Sequence, residues 1–101
     1  MGDLKDKRVL VVGLGASGKA AGELLLQQGA YVTAVDMADS VAIRRSIRSL
    51  IEAGAEVKLG INDNVEGEFD LAVVSPGVSL DQPLVENLRA KQVPVIGELE
   101  L

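Results

Sequence analysis

The chain has no cysteine, no histidine and no tryptophan, and Tyr31 and Phe69 are its only aromatic residues. Without cysteine there are no disulfides and no thiol nucleophiles. Without histidine there is no imidazole ligand for zinc and no general base that titrates near neutrality. Asp and Glu remain as ligands for a hard cation, but no segment has the clustered acidic spacing of a calcium loop, so no metal site is expected. Two aromatics cannot build the stacking platform that single-stranded nucleic acid requires. Basic residues are outnumbered, 10 against 15 acids, for a formal charge of −5, which argues against nucleic acid as a partner. Long apolar runs are missing too. No stretch approaches the ~20 residues that span a bilayer, and the lead-in Met1-Gly2-Asp3-Leu4-Lys5-Asp6-Lys7 lacks the apolar segment of a signal peptide. A soluble, cytoplasmic chain with no membrane partner is expected. At 101 residues one core is expected, burying about 60–70% of the unfolded surface, so residues 1–101 are read as a single Rossmann-like domain.

What is present is organised around Arg8-Val9-Leu10-Val11-Val12-Gly13-Leu14-Gly15-Ala16-Ser17-Gly18. Four consecutive apolar residues, with no polar alternation, predict a strand covered on both faces, at the centre of a parallel sheet. The run passes directly into Gly-x-Gly-x-x-Gly, and helical spacing follows. In such a unit Gly13 permits the sharp exit from the strand, Gly15 lets phosphates approach the backbone, and Gly18 lets the helix pack close to the sheet. The free N–H groups at the helix start, with about half a positive charge from its dipole, then face an anion. Asp36 ends the next apolar run, Tyr31 to Val35, where an acid accepts a hydrogen bond from a ribose or base. The predicted ligand is a nucleotide diphosphate.

The remaining elements follow in order. The first helix runs from Ser17 to Gln28, with Ala20, Ala21, Leu24 and Leu25 as its apolar stripe and Gly29 as its terminator. Strand two is Tyr31 to Val35. Ser40 or Asp39 caps a second helix running to Ala53, with Ile43, Ile47, Leu50 and Ile51 buried. Arg44, Arg45 and Arg48 form the one basic cluster, read as a solvated face or as support for the ligand's charge. Glu56 to Leu59 alternates like an edge strand, and residues 60–70 are too rich in turn formers for a crossover helix. Leu71 to Val74 is a fourth, buried strand that exits through Ser75-Pro76-Gly77. Asp81 caps a last helix with Pro83 in its first turn and Leu84, Val85 and Leu88 buried. Val93 to Ile96 is strand five, and Leu4 tucks under the sheet. The fold class is α/β, an open, doubly wound parallel sheet of order 3-2-1-4-5 with helices on both faces. There the carboxyl ends of strands one and four bracket the ligand, and Ser75-Pro76-Gly77 faces the glycine turn. Glu98-Leu99-Glu100-Leu101 reads as the start of a further element, as if the domain were cut from something longer.

Several of these residues occur together in a known family: Val11 to Ala20, Gly29-Ala30 ahead of Val32 and Asp36, Ser75-Pro76-Gly77-Val78, and Pro94 to Leu101. The combination resembles the N-terminal domain of the Mur ligases, in particular their D-glutamate-adding branch, and the likeness covers essentially the whole chain. The resemblance implies that this domain holds the UDP part of UDP-N-acetylmuramoyl-L-alanine for peptidoglycan synthesis, and so for cell-wall biogenesis, cell shape and division. It places the diphosphate and nearby uridine on Ala16, Ser17 and Gly18, beside Gly13 and Gly15. It sets Asp36 at the uracil and Ser75 with Gly77 by the sugar and phosphates. Where some relatives have a hydroxyl and an arginine, this chain has Met37 and Ala38, with Arg44 as a candidate substitute. The parent is implied to be an ATP-dependent amide-forming ligase using Mg, with a central ATP-binding domain and a C-terminal D-glutamate-binding domain. No Gly-x-x-x-x-Gly-Lys-Ser/Thr occurs in these residues, so no catalytic residue and no cofactor is expected in this domain.

Two other readings stand on the residues alone. The glycines and Asp36 suit NAD(P) equally well, in a regulatory module or a dehydrogenase. The glycine turn could also be an unliganded feature of a flavodoxin-like interaction domain.

Overall fold

A computed structural model of the chain describes residues 4–97. Among these residues nine elements occur, in the order β1 (Arg8–Val12), α1 (Ala16–Gln27), β2 (Tyr31–Asp36), α2 (Val41–Ser46), α3 (Arg48–Glu52), β3 (Glu56–Leu59), β4 (Leu71–Val74), α4 (Pro83–Ala90) and β5 (Val95–Gly97). The five strands form one sheet in the order β3-β2-β1-β4-β5, every pair parallel. This is the expected α/β architecture, with β1 at its centre. Successive residues of β1 serve opposite layers. Val9 and Val11 pack with Leu14, Leu25, Ile47 and Leu50 on one face, while Leu10 and Val12 pack with Leu84, Val85 and Leu88 on the other. Burying each such side chain stabilises the fold by roughly 1.5–3 kcal/mol, so an uninterrupted apolar run is what a two-sided layer selects. Leu4 joins the first of these cores, as expected.

The layer facing α1 corrects the expected stripe. The buried residues of α1 are Gly18, Ala21, Gly22 and Leu25, whereas Ala20 and Leu24 are exposed. Hydropathy misplaces the stripe because two of its four members are glycines, chosen for closeness. A Cβ on Gly18 would lie 1.8 Å from the Gly13 carbonyl oxygen, and one on Gly22 would meet Leu50 Cδ1 at 3.1 Å. The helix therefore brings its backbone close at Gly18 and Gly22, while Leu25 is its one large side chain buried in that core.

The second helix divides at Ile47, where φ is −94° and ψ is 0°. Ser46 Oγ donates to the Ile43 carbonyl at 2.8 Å, sharing an acceptor that Ile47 N–H also uses at 3.2 Å. Such back-bonding competes with the helical ladder and bends it. The bend turns Leu50 into the core and leaves Ile51 exposed, against expectation. Ser40 caps α2 as expected, its Oγ accepting from Ile43 N–H at 3.2 Å. The cap of α4 is Gln82 rather than Asp81, whose N–H instead donates to Ser79 Oγ within the preceding loop. Strand β5 begins at Val95, not Val93. Pro94 has no N–H to give a ladder, although its carbonyl accepts from Ala72, and Val93 N–H closes α4 by donating to Leu88.

Gly29 and Gly54 end α1 and α3 with φ of +85° and +115°, as their positions predict. Residues 60–70 contain no helix, as expected, and are held against α4 by Asn87 Nδ2 donating to the Asp63 carbonyl and Lys91 Nζ donating to Asn64 Oδ1. The further element expected at Glu98 to Leu101 lies outside the described residues.

The Gly22–Leu50 contact gives a double-mutant test. Leu50→Ala should cost about 2–5 kcal/mol in urea unfolding. Gly22→Ala alone should be held back by the tight Leu50 contact. In the Leu50→Ala background it should recover the ~1 kcal/mol of helix propensity that alanine has over glycine. Strict additivity of the two changes would show that Leu50 does not set the approach of α1.

Candidate nucleotide-binding site

The chain leaves β1 through Gly13 at φ +95°, a conformation that side-chain-bearing residues rarely adopt. Space demands glycine there as well. A Cβ would come within 2.6 Å of Val78 Cγ2 and 3.0 Å of Ser75 Cβ. The glycine turn and the Ser75-Pro76-Gly77-Val78 turn are therefore packed face to face, as the strand order predicted. Both are fixed by extensions of the sheet ladder: Gly13 N–H donates to the Val35 carbonyl at 2.9 Å, and Ser75 N–H to the Val12 carbonyl at 3.0 Å. The second turn is closed by Val78 N–H donating to the Ser75 carbonyl at 3.0 Å.

Between these turns, outside the carboxyl ends of β1, β2 and β4, lies an open cleft of about 410 Å³. Gly13, Gly15, Asp36, Ser75 and Gly77 all line it. Five of the eight expected site residues are thus brought together from three separate loops. The other three, Ala16, Ser17 and Gly18, form the first turn of α1 next to Gly15 and are not part of the cleft lining. Ala16 and Ser17 are exposed, while Gly18 is buried beneath the turn. The first helical bond runs from Lys19 N–H to the Gly15 carbonyl at 3.0 Å. The first-turn amides before it have no intrahelical acceptor.

Gly15 differs from its neighbours. Its φ is −65° and no atom lies within 4 Å of where a Cβ would stand. That position is open for close approach by a ligand, whereas Gly13 and Gly18 are demanded by the fold itself. The same is true of Gly77, which also has nothing within 4 Å.

Among the described residues, Asp36 is the only charged one lining the cleft. Its Oδ2 accepts from Leu14 N–H at 2.7 Å and its Oδ1 from Ala38 N–H at 2.8 Å. A carboxylate offers about four acceptor positions, so two remain for a ligand. Sequence reasoning did not anticipate the rest of the lining: Val12, Ile61, Val78, Ser79, Gln82 and Leu84. These are ordinary core and loop residues whose common direction only the folded sheet supplies. Met37, marked in the sequence, also lines the cleft and is well exposed.

Arg44, the candidate substitute for a ligand-binding arginine, is engaged elsewhere. Its Nε and second guanidinium nitrogen bind the two Asp39 carboxylate oxygens at 2.6 and 2.9 Å, outside the cleft lining. Arg45 and Arg48 are exposed and also outside it. The Arg44 hydrogen bond holds the Asp39 carboxyl below the usual carboxylate range, against an opposing desolvation and with help from the Arg44 charge. A depressed folded-state pKa means that the pair's contribution is present above the ordinary carboxylate range and is lost as pH falls through the depressed value. Arg44→Ala should therefore move the Asp39 midpoint upward in a carboxyl-detected titration. An unmoved midpoint would mean that the pair does not persist in solution.

The glycines make a sharper test. Gly15→Val should cost no more than about 1 kcal/mol, the scale of an unfavourable N-cap, because its side chain would enter open space at the cleft. Gly18→Ala should cost more than about 3 kcal/mol, because its Cβ would overlap backbone that cannot move aside. Chemical denaturation gives both numbers. Similar costs at the two positions would remove the distinction between a fold glycine and a ligand glycine.

Sequence comparisons with known proteins point to one family. The family described as Mur ligase MurD-like, N-terminal domain, matches residues 7–97. The UDP-N-acetylmuramoylalanine–D-glutamate ligase of Koribacter versatilis is 45% identical over 100 residues, covering 98% of this chain and 22% of that protein. The ligase of the same name from Acidobacterium capsulatum is 46% identical over 100 residues, with the same coverage of both chains. Among solved structures, the UDP-N-acetylmuramate-alanine ligase of Thermotoga maritima shares the fold, with a TM-score of 0.74 at 20% identity, over 93% of this chain and 21% of that one. The chain spans about a fifth of the length of the curated relatives it matches. With the glycine turn seated at the switch point of a 3-2-1-4-5 sheet and the family match running from Lys7 to Gly97, this chain belongs to the Mur ligase MurD-like N-terminal domain family.

Proposed function

We propose that this chain binds the UDP moiety of UDP-N-acetylmuramoyl-L-alanine and anchors that substrate for a D-glutamate-adding ligase. The observation that carries the reading is the convergence of Gly13, Gly15, Asp36, Ser75 and Gly77 on one cleft at the switch point. The names of the D-glutamate ligase relatives support the choice of substrate. In this reading the diphosphate lies over Gly15 and takes hydrogen bonds from the amides of Ala16, Ser17 and Gly18 and from the Ser17 hydroxyl. Asp36 uses its remaining lone pairs for the uracil N3–H or a ribose hydroxyl, and Ser75 and Gly77 adjoin the sugar and phosphates. The apolar lining from Val12, Ile61, Val78 and Leu84 gives the planar base and sugar a dry wall. The chain carries a net charge of −5, so affinity comes from oriented N–H groups at short range rather than from an attractive field.

Residues 1–101 act as one substrate-anchoring domain, and the full-length protein is an ATP-dependent amide-forming ligase with central ATP-binding and C-terminal D-glutamate-binding domains. Neither ATP nor Mg fits the residues present here. The sequence has no Gly-x-x-x-x-Gly-Lys-Ser/Thr, and among the described residues no group of three or more His, Cys, Asp or Glu could hold a metal ion. Both belong to the parent's other domains, and this chain alone is catalytically silent. Among the described residues no helix is long and apolar enough to cross a membrane.

Chemical-shift titration compares UDP-N-acetylmuramoyl-L-alanine with NAD at equal concentration. The expected result is binding of the uridine ligand at about millimolar Kd, or roughly 4 kcal/mol, with shifts at Gly13 to Gly18 and at Ser75 to Gly77. Gly15→Val should abolish them. Tighter binding of NAD would replace this reading with a dinucleotide-binding module.

A further inference from the structure

Asp36 has a second relationship to the cleft, one visible without any ligand. Its two carboxylate oxygens bridge two loops: Leu14 N–H, 22 residues away and inside the glycine turn, and Ala38 N–H, two residues on in the turn after β2. Leu14 is otherwise anchored through its side chain, which is buried in the core with Leu25. The amide before it, Gly13 N–H, is held by the Val35 carbonyl. The glycine turn is therefore tied to β2 at two successive amides, once by main chain and once by the Asp36 side chain.

The electrostatics sharpen the point. Among the described residues, Asp36 is the only charged one lining a cleft that is read as binding a diphosphate, and a carboxylate beside an anion repels it. Hydrogen bonds from N–H groups to an ionised carboxylate are about twice as strong as neutral ones. They fix the donors they engage. With Leu14 N–H directed at Asp36, the amides left to face an anion are those at the start of α1, ahead of the first helical bond at Lys19.

We propose that Asp36 is a positioning residue: by clamping Leu14 N–H and Ala38 N–H together, it sets the glycine turn in the orientation that points the α1 amides at the ligand's phosphates. The identity of the ligand rests on the UDP reading above, whereas the clamp is a property of the free chain. A residue that only contacts uracil or ribose has no effect on a ligand lacking both. Removing a carboxylate that only repels phosphate strengthens phosphate binding. The clamp predicts the opposite sign.

The test uses the 101-residue chain, its Asp36→Ala and Asp36→Asn variants, and two probes, UDP and inorganic pyrophosphate. In the free proteins, amide hydrogen exchange at Leu14 should accelerate at least about tenfold in Asp36→Ala, the loss of one charged hydrogen bond. Pyrophosphate and UDP should both bind about tenfold more weakly to that variant. Asp36→Asn, whose amide oxygen can replace one acceptor, should fall between and carries the test if the alanine variant does not fold. Pyrophosphate binding that is unchanged or stronger in the variants overturns the proposal, as does unchanged Leu14 exchange or a wild-type chain that binds neither probe. If wild-type chain binds UDP no better than pyrophosphate, the uridine reading fails, while the clamp stands on the pyrophosphate and exchange results.

Discussion

The structure depends on one close approach, that of the first turn of α1 to the carbonyl of Gly13. A hypothetical Cβ on Gly18 would sit 1.8 Å from that oxygen, so the helix reaches its position only because Gly18 has no side chain. From that contact the rest follows. The first turn of α1 is thereby seated directly after Gly15, at the edge of the cleft. Gly22 continues the same face and brings Leu50 of α3 onto the helix. A helix held off by larger side chains would still cover the sheet, but its amino end would no longer meet the switch point.

The two faces of β1 then acquire different duties. On the α1 side, Val9 and Val11 seat a helix that presents amides. On the α4 side, Leu10 and Val12 join Leu84, Val85 and Leu88, and Val12 and Leu84 also line the cleft. The same apolar core that stabilises the sheet thus continues into the wall of the cleft. Because the wall is neutral and the chain is acidic, the proposed anion binding rests on donor geometry. That geometry is fixed by loops whose ends are tied into the sheet ladder, as Gly13 to Val35 and Ser75 to Val12 show. Asp36 adds a side-chain tie between two of these loops.

Much of this was legible in the residue order. Uninterrupted apolar runs identified β1 and β4 as central strands, because a strand buried on both sides cannot alternate. Gly13, Gly29 and Gly54 were readable as turns because few residues other than glycine adopt positive φ without strain. The spacing from the glycines to Asp36, with Ser75-Pro76-Gly77 after the fourth strand, located both walls of the cleft. The errors fell where local signals are weakest. The stripe of α1 was shifted onto Ala20 and Leu24 because glycine carries no hydropathy. The second helix was read as continuous because the Ser46 bond to the Ile43 carbonyl is a choice of rotamer that composition does not reveal. Strand five was started too early, since Val93 satisfies its N–H on α4 instead.

The sequence by itself determined the strand order, the glycine turn and the family, since each rests on apolar runs and short motifs that stand in the order of the residues. Tertiary structure decided which glycines serve the fold and which leave space: Gly13 and Gly18 are crowded, while Gly15 and Gly77 face open space. It also decided that Arg44 is paired with Asp39, outside the cleft lining, and that Asp36 holds the glycine turn. The physical reason is common to both. Crowding and hydrogen-bond partnership are relations between atoms far apart in sequence, and they exist only once the sheet has brought the ends of β1, β2 and β4 side by side.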